Sequence, residues 1–81
     1  MSKPILYFSD KCPDTAPFVA ELKARNIDYT EANISESMPN LKQFLKLRDN
    51  HPAFLAVKEK GFIGIPALVF DDKVVLDSAD L

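Results

Sequence analysis

The front of the chain reads strand, helix, strand, and that order leaves few ways to fold. Ile5-Leu6-Tyr7-Phe8 is a strand-length apolar run bounded by Pro4 and by Ser9-Asp10. Ala16, Phe18, Val19, Ala20 and Leu22 then recur at helical spacing. Glu21, Lys23 and Arg25 turn to water, and Asn26 marks a stop. Two helix starts fit. Either Pro13 is the first helical residue, and Pro17 then removes the first bond of the ladder. Or Asp14 or Thr15 caps a helix that becomes regular just before Pro17. Ile27-Asp28-Tyr29-Thr30-Glu31-Ala32 alternates apolar with polar, as a half-exposed strand does. A helix between two strands implies a parallel pair joined by a right-handed crossover.

The rest of the chain adds helices and then a hairpin. Ser35 or Ser37 caps a second helix with Pro39 in its first turn. Leu41, Phe44, Leu45 and Arg48 fall at i, i+3, i+4 and i+7, which predicts the three apolar residues as core. Asp49-Asn50-His51-Pro52 breaks this helix, and Asp49 or Asn50 caps the next. Phe54, Leu55 and Val57 form that helix's apolar face, and Gly61 ends it. Gly61 to Pro66 is a loop into the apolar run Ala67-Leu68-Val69-Phe70. Asp71-Asp72 makes a tight turn, and Lys73-Val74-Val75-Leu76 returns. Asp77 to Leu81 reads as a helix cap with almost no helix behind it. The expected fold class is α/β, a mixed four-stranded sheet flanked by helices, in a single domain spanning 1–81.

Composition excludes several functions. Net charge is -2 with no Lys/Arg cluster, so a nucleic-acid role has little support. Apolar runs are only a few residues long, and Met1-Ser2-Lys3-Pro4 lacks a signal-peptide stretch. One cysteine cannot form an internal disulfide, which fits a reducing, cytoplasmic setting. One Cys and one His cannot close a zinc site, so no metal is expected. His51, beside a helix break, reads as a solvated or capping residue rather than a general base.

Cys12 stands where the first strand hands over to the first helix. Unpaired N–H groups and the dipole at a helix start favour an anion, and the thiolate is the reactive form of cysteine. That address suits a reactive thiol better than an inert core residue. Lys11 adds a positive charge beside it, while Asp10 and Asp14 add negative ones.

With these elements in place, the chain resembles a glutaredoxin, of the thioredoxin-like fold. Cys12-Pro13-Asp14-Thr15 stands in the place of that family's Cys-Pro-Tyr-Cys. Gly64-Ile65-Pro66 stands in the place of its Thr-Val-Pro, whose proline is cis. Asp77-Ser78-Ala79-Asp80-Leu81 falls where the family has Gly-Gly-Cys-Asp-Asp-Leu or similar. The resemblance covers essentially the whole chain and implies a truncated C-terminal helix. It also implies that one sheet face is thinly covered, which suggests a homodimer.

The resemblance implies a glutathione-linked thiol oxidoreductase. Cys12, Pro13 and Thr15 would form the catalytic motif. Lys11, Ile65, Pro66 and Ser78 would bind glutathione, the co-substrate, with the backbone groups of Ile65 pairing in strand fashion with an extended ligand. Partners would be glutathionylated or disulfide-containing proteins. Thr15 replaces the resolving cysteine, so the implied cycle is monothiol: Cys12 attacks a glutathione mixed disulfide and a second glutathione frees it. Thr15 is expected either to hydrogen-bond the Cys12 sulfur or, as a helix-start residue, to satisfy a backbone donor. Ser9 stands where many members carry a Lys, and Leu76-Asp77 stands where they carry Gly-Gly. Two other functions compete. One is a non-catalytic binding module beside Ile65-Pro66. The other is an iron–sulfur cluster carrier, against which Pro13 and Asp14 argue, because such members carry Cys-Gly-Phe-Ser.

Overall fold

The computed structural model describes residues 3–70, 73–77 and 81. Its elements run β1 (Ile5–Phe8), α1 (Thr15–Ala24), β2 (Thr30–Asn33) and α2 (Met38–Asn50). A single 3₁₀ turn (Pro52–Phe54) leads into α3 (Leu55–Glu59), followed by β3 (Ala67–Phe70) and β4 (Lys73–Val75). The strands form one mixed sheet in the order β2-β1-β3-β4. β1 runs parallel to β2, with Ile5 opposite Thr30 and Phe8 opposite Asn33. It runs antiparallel to β3, which pairs antiparallel with β4. The described residues therefore form an α/β protein with three α-helices on a four-stranded sheet, as the strand and helix patterns predict.

Successive residues of a strand point to opposite faces, so β1 feeds two cores. Leu6 packs with Phe18 and Leu22 of α1, and with Leu68 and Val75. Leu81 adds to this side. Tyr7 packs on the other face with Ala32, Phe44, Phe54 and Ala67. The aromatic rings there interlock. Tyr7 and Phe44 have centroids 5.7 Å apart and tilted, while Phe44 and Phe54 meet edge to face, also at 5.7 Å. Such pairs add to the area they bury.

Burial pushes the Tyr7 phenol above its ordinary value of 10.0. Tyr29 moves the same way through burial and the nearby Glu31 carboxylate. A raised phenol means that folding favours its neutral form. The corresponding stability is complete below the unfolded value and is lost as pH climbs through the folded one. The urea midpoint should therefore fall above about pH 10, and Tyr7→Phe should remove much of that fall. Equal alkaline losses in both proteins would show that Tyr7 carries none of it.

Several boundaries differ from the sequence pattern, each for a local reason. Pro13 is not helical, because α1 begins at Thr15, with Asp14 as a cap that makes no side-chain bond. Pro17 is thus the third helical residue, where its missing N–H is one that no helix can pair internally. The end of α1 consumes Ile27. Asn26 takes φ 56°, its N–H reaches the Lys23 carbonyl, and the Ile27 N–H reaches Leu22. This is a Schellman closure. It delays β2 to Thr30, so Ile27 to Tyr29 are not strand as their alternation predicts. Gly61, at φ 75°, closes α3 in the same way through Lys58 and Val57.

Ser37 caps α2, accepting from the Asn40 N–H. Neither Asp49 nor Asn50 caps the next segment, because α2 continues through both. His51 does so, its Nδ1 accepting from the Ala53 N–H at 3.1 Å. Leu45, expected in the core, is 42% exposed, and Leu55, expected on the apolar face of its helix, is 57% exposed. The expected turn at Asp71-Asp72 and most of the expected cap at Asp77 to Leu81 lie outside the described residues. Among the described residues, no helix is long and apolar enough to cross a membrane.

Candidate functional site

The chain leaves β1 into two consecutive turns that carry Cys12. Ser9, the buried residue just after the strand, organises them. Its carbonyl accepts the Cys12 N–H at 3.1 Å and the Thr15 hydroxyl at 2.8 Å. Its own hydroxyl accepts the Lys11 N–H at 3.2 Å and pairs with the Ser35 hydroxyl. The Cys12 carbonyl then accepts the Thr15 N–H at 3.2 Å. The Thr15 hydrogen thus goes to the Ser9 carbonyl and not to the Cys12 sulfur, and its backbone partner is an acceptor rather than the expected donor. Cys12 itself is half-buried and one turn ahead of the first helical residue.

The second half of the site comes from the loop after α3. The Phe62 N–H donates to the Val57 carbonyl at 2.8 Å. Arg48 of α2 clasps the loop from the side, its Nε on the Ile63 carbonyl at 2.8 Å and its Nη2 on the Phe62 carbonyl at 2.6 Å. Gly64 follows at φ 96°, and the Ile65–Pro66 peptide bond is cis. This path brings the Ile65 carbonyl to 4.0 Å from Cys12 Sγ, the long end for a weak thiol donor. Pro66 is buried at the head of β3.

The two glycines of this loop have different duties. A Cβ on Gly61 would meet nothing within 4 Å, whereas one on Gly64 would lie 2.9 Å from Phe54 Cδ1. Phe54 is fully buried and cannot step aside. Gly61→Ala should therefore cost only the left-handed backbone penalty, about 1–2 kcal/mol. Gly64→Ala adds overpacking and should cost about 3 kcal/mol or more. Urea denaturation of the two variants checks this, and equal costs would contradict the close approach of Gly64 to Phe54.

Between the two loops lies a groove of about 730 Å³. Lys11, Cys12 and Ile65 line it together, joined by Ile34, Phe62 and Ile63. A smaller cavity of about 300 Å³ adjoins Ile65 and Pro66, with Asp14 and Asp77 on its wall. Of the residues expected from the sequence, the structure thus gathers Lys11, Cys12, Ile65 and Pro66 around one segment. Pro13 is exposed and lines neither cavity. Ser78 lies outside the described residues.

No protein-family model and no solved structure matches the chain. A Haemophilus influenzae protein described as an "uncharacterized protein" is 54% identical to it over 82 aligned positions. The alignment covers 100% of this chain and 95% of the relative. The chain belongs to that protein's family. In this family member, the site combines one sulfur, one adjacent ammonium on Lys11 and a backbone carbonyl facing the sulfur. A thiol in such a place has the chemistry needed to exchange with a disulfide or to hold a ligand through sulfur.

Four site residues escaped the sequence reading: Ser9 as the anchor of the Cys12 turns, Arg48 as the clasp, and the pair Phe62-Ile63 on the groove wall. For the last there was a signal. Two large apolar residues stand in a short loop between the chain's two glycines, with no helix or strand period to bury them.

Proposed function

We propose that this protein is a glutaredoxin-like thiol–disulfide oxidoreductase of thioredoxin-like fold that works through Cys12 alone. One observation carries the reading: a half-buried cysteine at a strand-to-helix junction faces the carbonyl of Ile65, 4.0 Å away, at one end of an open groove. The glutathione part of a mixed disulfide, lying extended along Ile65, would present its sulfur to Cys12. The element order, strand–helix–strand followed by helices and a hairpin, supports the same reading.

The cycle has two exchanges. The Cys12 thiolate attacks the glutathione sulfur of a mixed disulfide. A Cys12–glutathione disulfide forms, the old S–S bond breaks, and the substrate sulfur leaves with the electron pair and takes a proton. The thiolate of a second glutathione then attacks the glutathione sulfur on Cys12. Glutathione disulfide forms and Cys12 is released as thiolate. The net reaction consumes one glutathione and one mixed disulfide, and yields one substrate thiol and one glutathione disulfide. Glutathione is the reductant, and a reducing, cytoplasmic compartment supplies it.

A second reading is a thiol- or peptide-binding module without turnover. The commitment of the Thr15 hydroxyl to Ser9 favours it, because that hydrogen is then not given to the sulfur. Glutathione-coupled reduction of a glutathionylated peptide separates the two. Turnover is expected, and its absence at any glutathione concentration would leave the binding module.

A further inference from the structure

The groove beside Cys12 has a far wall that is apolar, exposed and held in place. Phe62 is 60% exposed and Ile63 57%. Single exposed apolar residues are ordinary, but these two adjoin the half-buried Ile34, Leu41 and Val57 on one cavity. Their backbone is tied on both sides. Val57 accepts the Phe62 N–H, and Arg48 donates to both carbonyls. The side chains therefore stay at the groove instead of folding away from it.

Charge decides what such a wall takes. The charged side chains lining the cavity are Lys11 and Asp14, and both belong to the Cys12 segment. The far wall carries none, and Arg48 directs its Nε and Nη2 at backbone carbonyls. A carboxylate seated against Phe62 and Ile63 would lose water and find no cationic side chain on the cavity lining there, since Arg48 is not part of that lining and gives its Nε and Nη2 to the backbone, whereas an uncharged apolar side chain loses nothing.

We infer that the groove selects disulfide substrates in which an extended peptide carries a bulky apolar or aromatic side chain beside its disulfide-bonded cysteine. That side chain rests on Phe62 and Ile63, and Arg48 is the positioning residue that holds the wall. The inference rests on the oxidoreductase reading for the bond attacked, and it leaves the exchange step unchanged.

Two glutathionylated peptides test it, identical except for Phe or Ser next to the cysteine. The Phe peptide should be reduced with a kcat/KM about tenfold higher, the difference lying in KM. In Phe62→Ser, a change at an exposed position, the ratio between the peptides should fall toward one. Arg48→Lys keeps the charge but loses the two-pronged donation, and it should lower the ratio through KM while kcat holds. Equal kcat/KM for the two peptides, with turnover that disappears in Cys12→Ser, would overturn the groove and leave the exchange reading intact. Calorimetry with the same peptides, their cysteine replaced by serine, reads the groove without chemistry. The Phe peptide should bind about tenfold tighter to the wild type and lose that advantage in Phe62→Ser. Equal affinities would overturn the inference whether or not turnover occurs.

Discussion

Cys12→Ser is expected to bring glutathione-dependent reduction of a glutathionylated peptide down to the uncatalysed rate while the protein stays folded. The chemical half follows from the reaction. In the proposed cycle the first exchange forms an S–S bond at Cys12 and the second breaks it, and a hydroxyl can neither form that bond nor ionise near neutral pH. With Thr15 in place of a second cysteine, no other sulfur of the chain can substitute except a methionine thioether, which does not exchange. The structural half follows from the loop. Cys12 is anchored through its backbone, its N–H on Ser9 and its carbonyl under the Thr15 N–H. Serine keeps both bonds. A half-buried change that leaves the backbone paired should move stability by no more than about 0.5 kcal/mol, or about 2–4 °C in melting temperature for a domain of this size. Parallel activity and thermal-melt measurements check both halves. Persistent turnover in the folded variant would sink the Cys12 mechanism. Lost turnover with a collapsed melt would leave the role of the sulfur to be read from Cys12→Ala.

Phe54→Ala is expected to cost about 3–5 kcal/mol, a large share of what a domain this small commands. Phe54 is fully buried, meets Phe44 edge to face, and stacks its ring edge beneath Gly64. Removing the ring leaves a cavity in the core that also supports the loop carrying Ile65. Thermal melts should drop by more than about 12 °C. Phe44→Ala should cost a similar amount, because Phe44 is equally buried and bridges Tyr7 to Phe54. The two variants differ in one respect: it is the Phe54 ring whose atoms lie nearest to a Cβ built at Gly64. If both fold at low temperature, Phe54→Ala should impair ligand binding at the Cys12 groove more than Phe44→Ala does. A drop below about 4 °C for either would mean that the aromatic layer is not packed as described.

The parts that were legible in the sequence share a physical character. Ile5 to Phe8 and Ala67 to Phe70 are apolar runs between turn residues, and they are strands. Ser37, Asn26 and Gly61 sit where helices begin or end, because capping is settled by a residue and its neighbours within one turn. The assignment that slipped furthest was β2. Alternation began at Ile27, but the closure of α1 took that residue first, and a pattern of period two does not reveal which neighbour claims a backbone N–H. Leu45 and Leu55 show the same limit in helices. Helical spacing marks a stripe, but the width of the stripe that finds a partner depends on what packs against it.

The sequence by itself determined the order and type of the elements, the strand-to-helix junction at Cys12 and the loop that ends at Pro66. Each of these is written in residues close together along the chain. Tertiary structure alone decided that Ile65 faces Cys12 across a separation of 53 residues, and that Arg48 reaches 14 and 15 residues ahead to hold Phe62 and Ile63. It also decided that Ser9, buried and paired with Ser35 26 residues away, anchors the Cys12 turns. Such contacts depend on how the sheet and helices dock, and docking is fixed by the summed burial of Tyr7, Phe44, Phe54 and Leu6, to which no local motif has access.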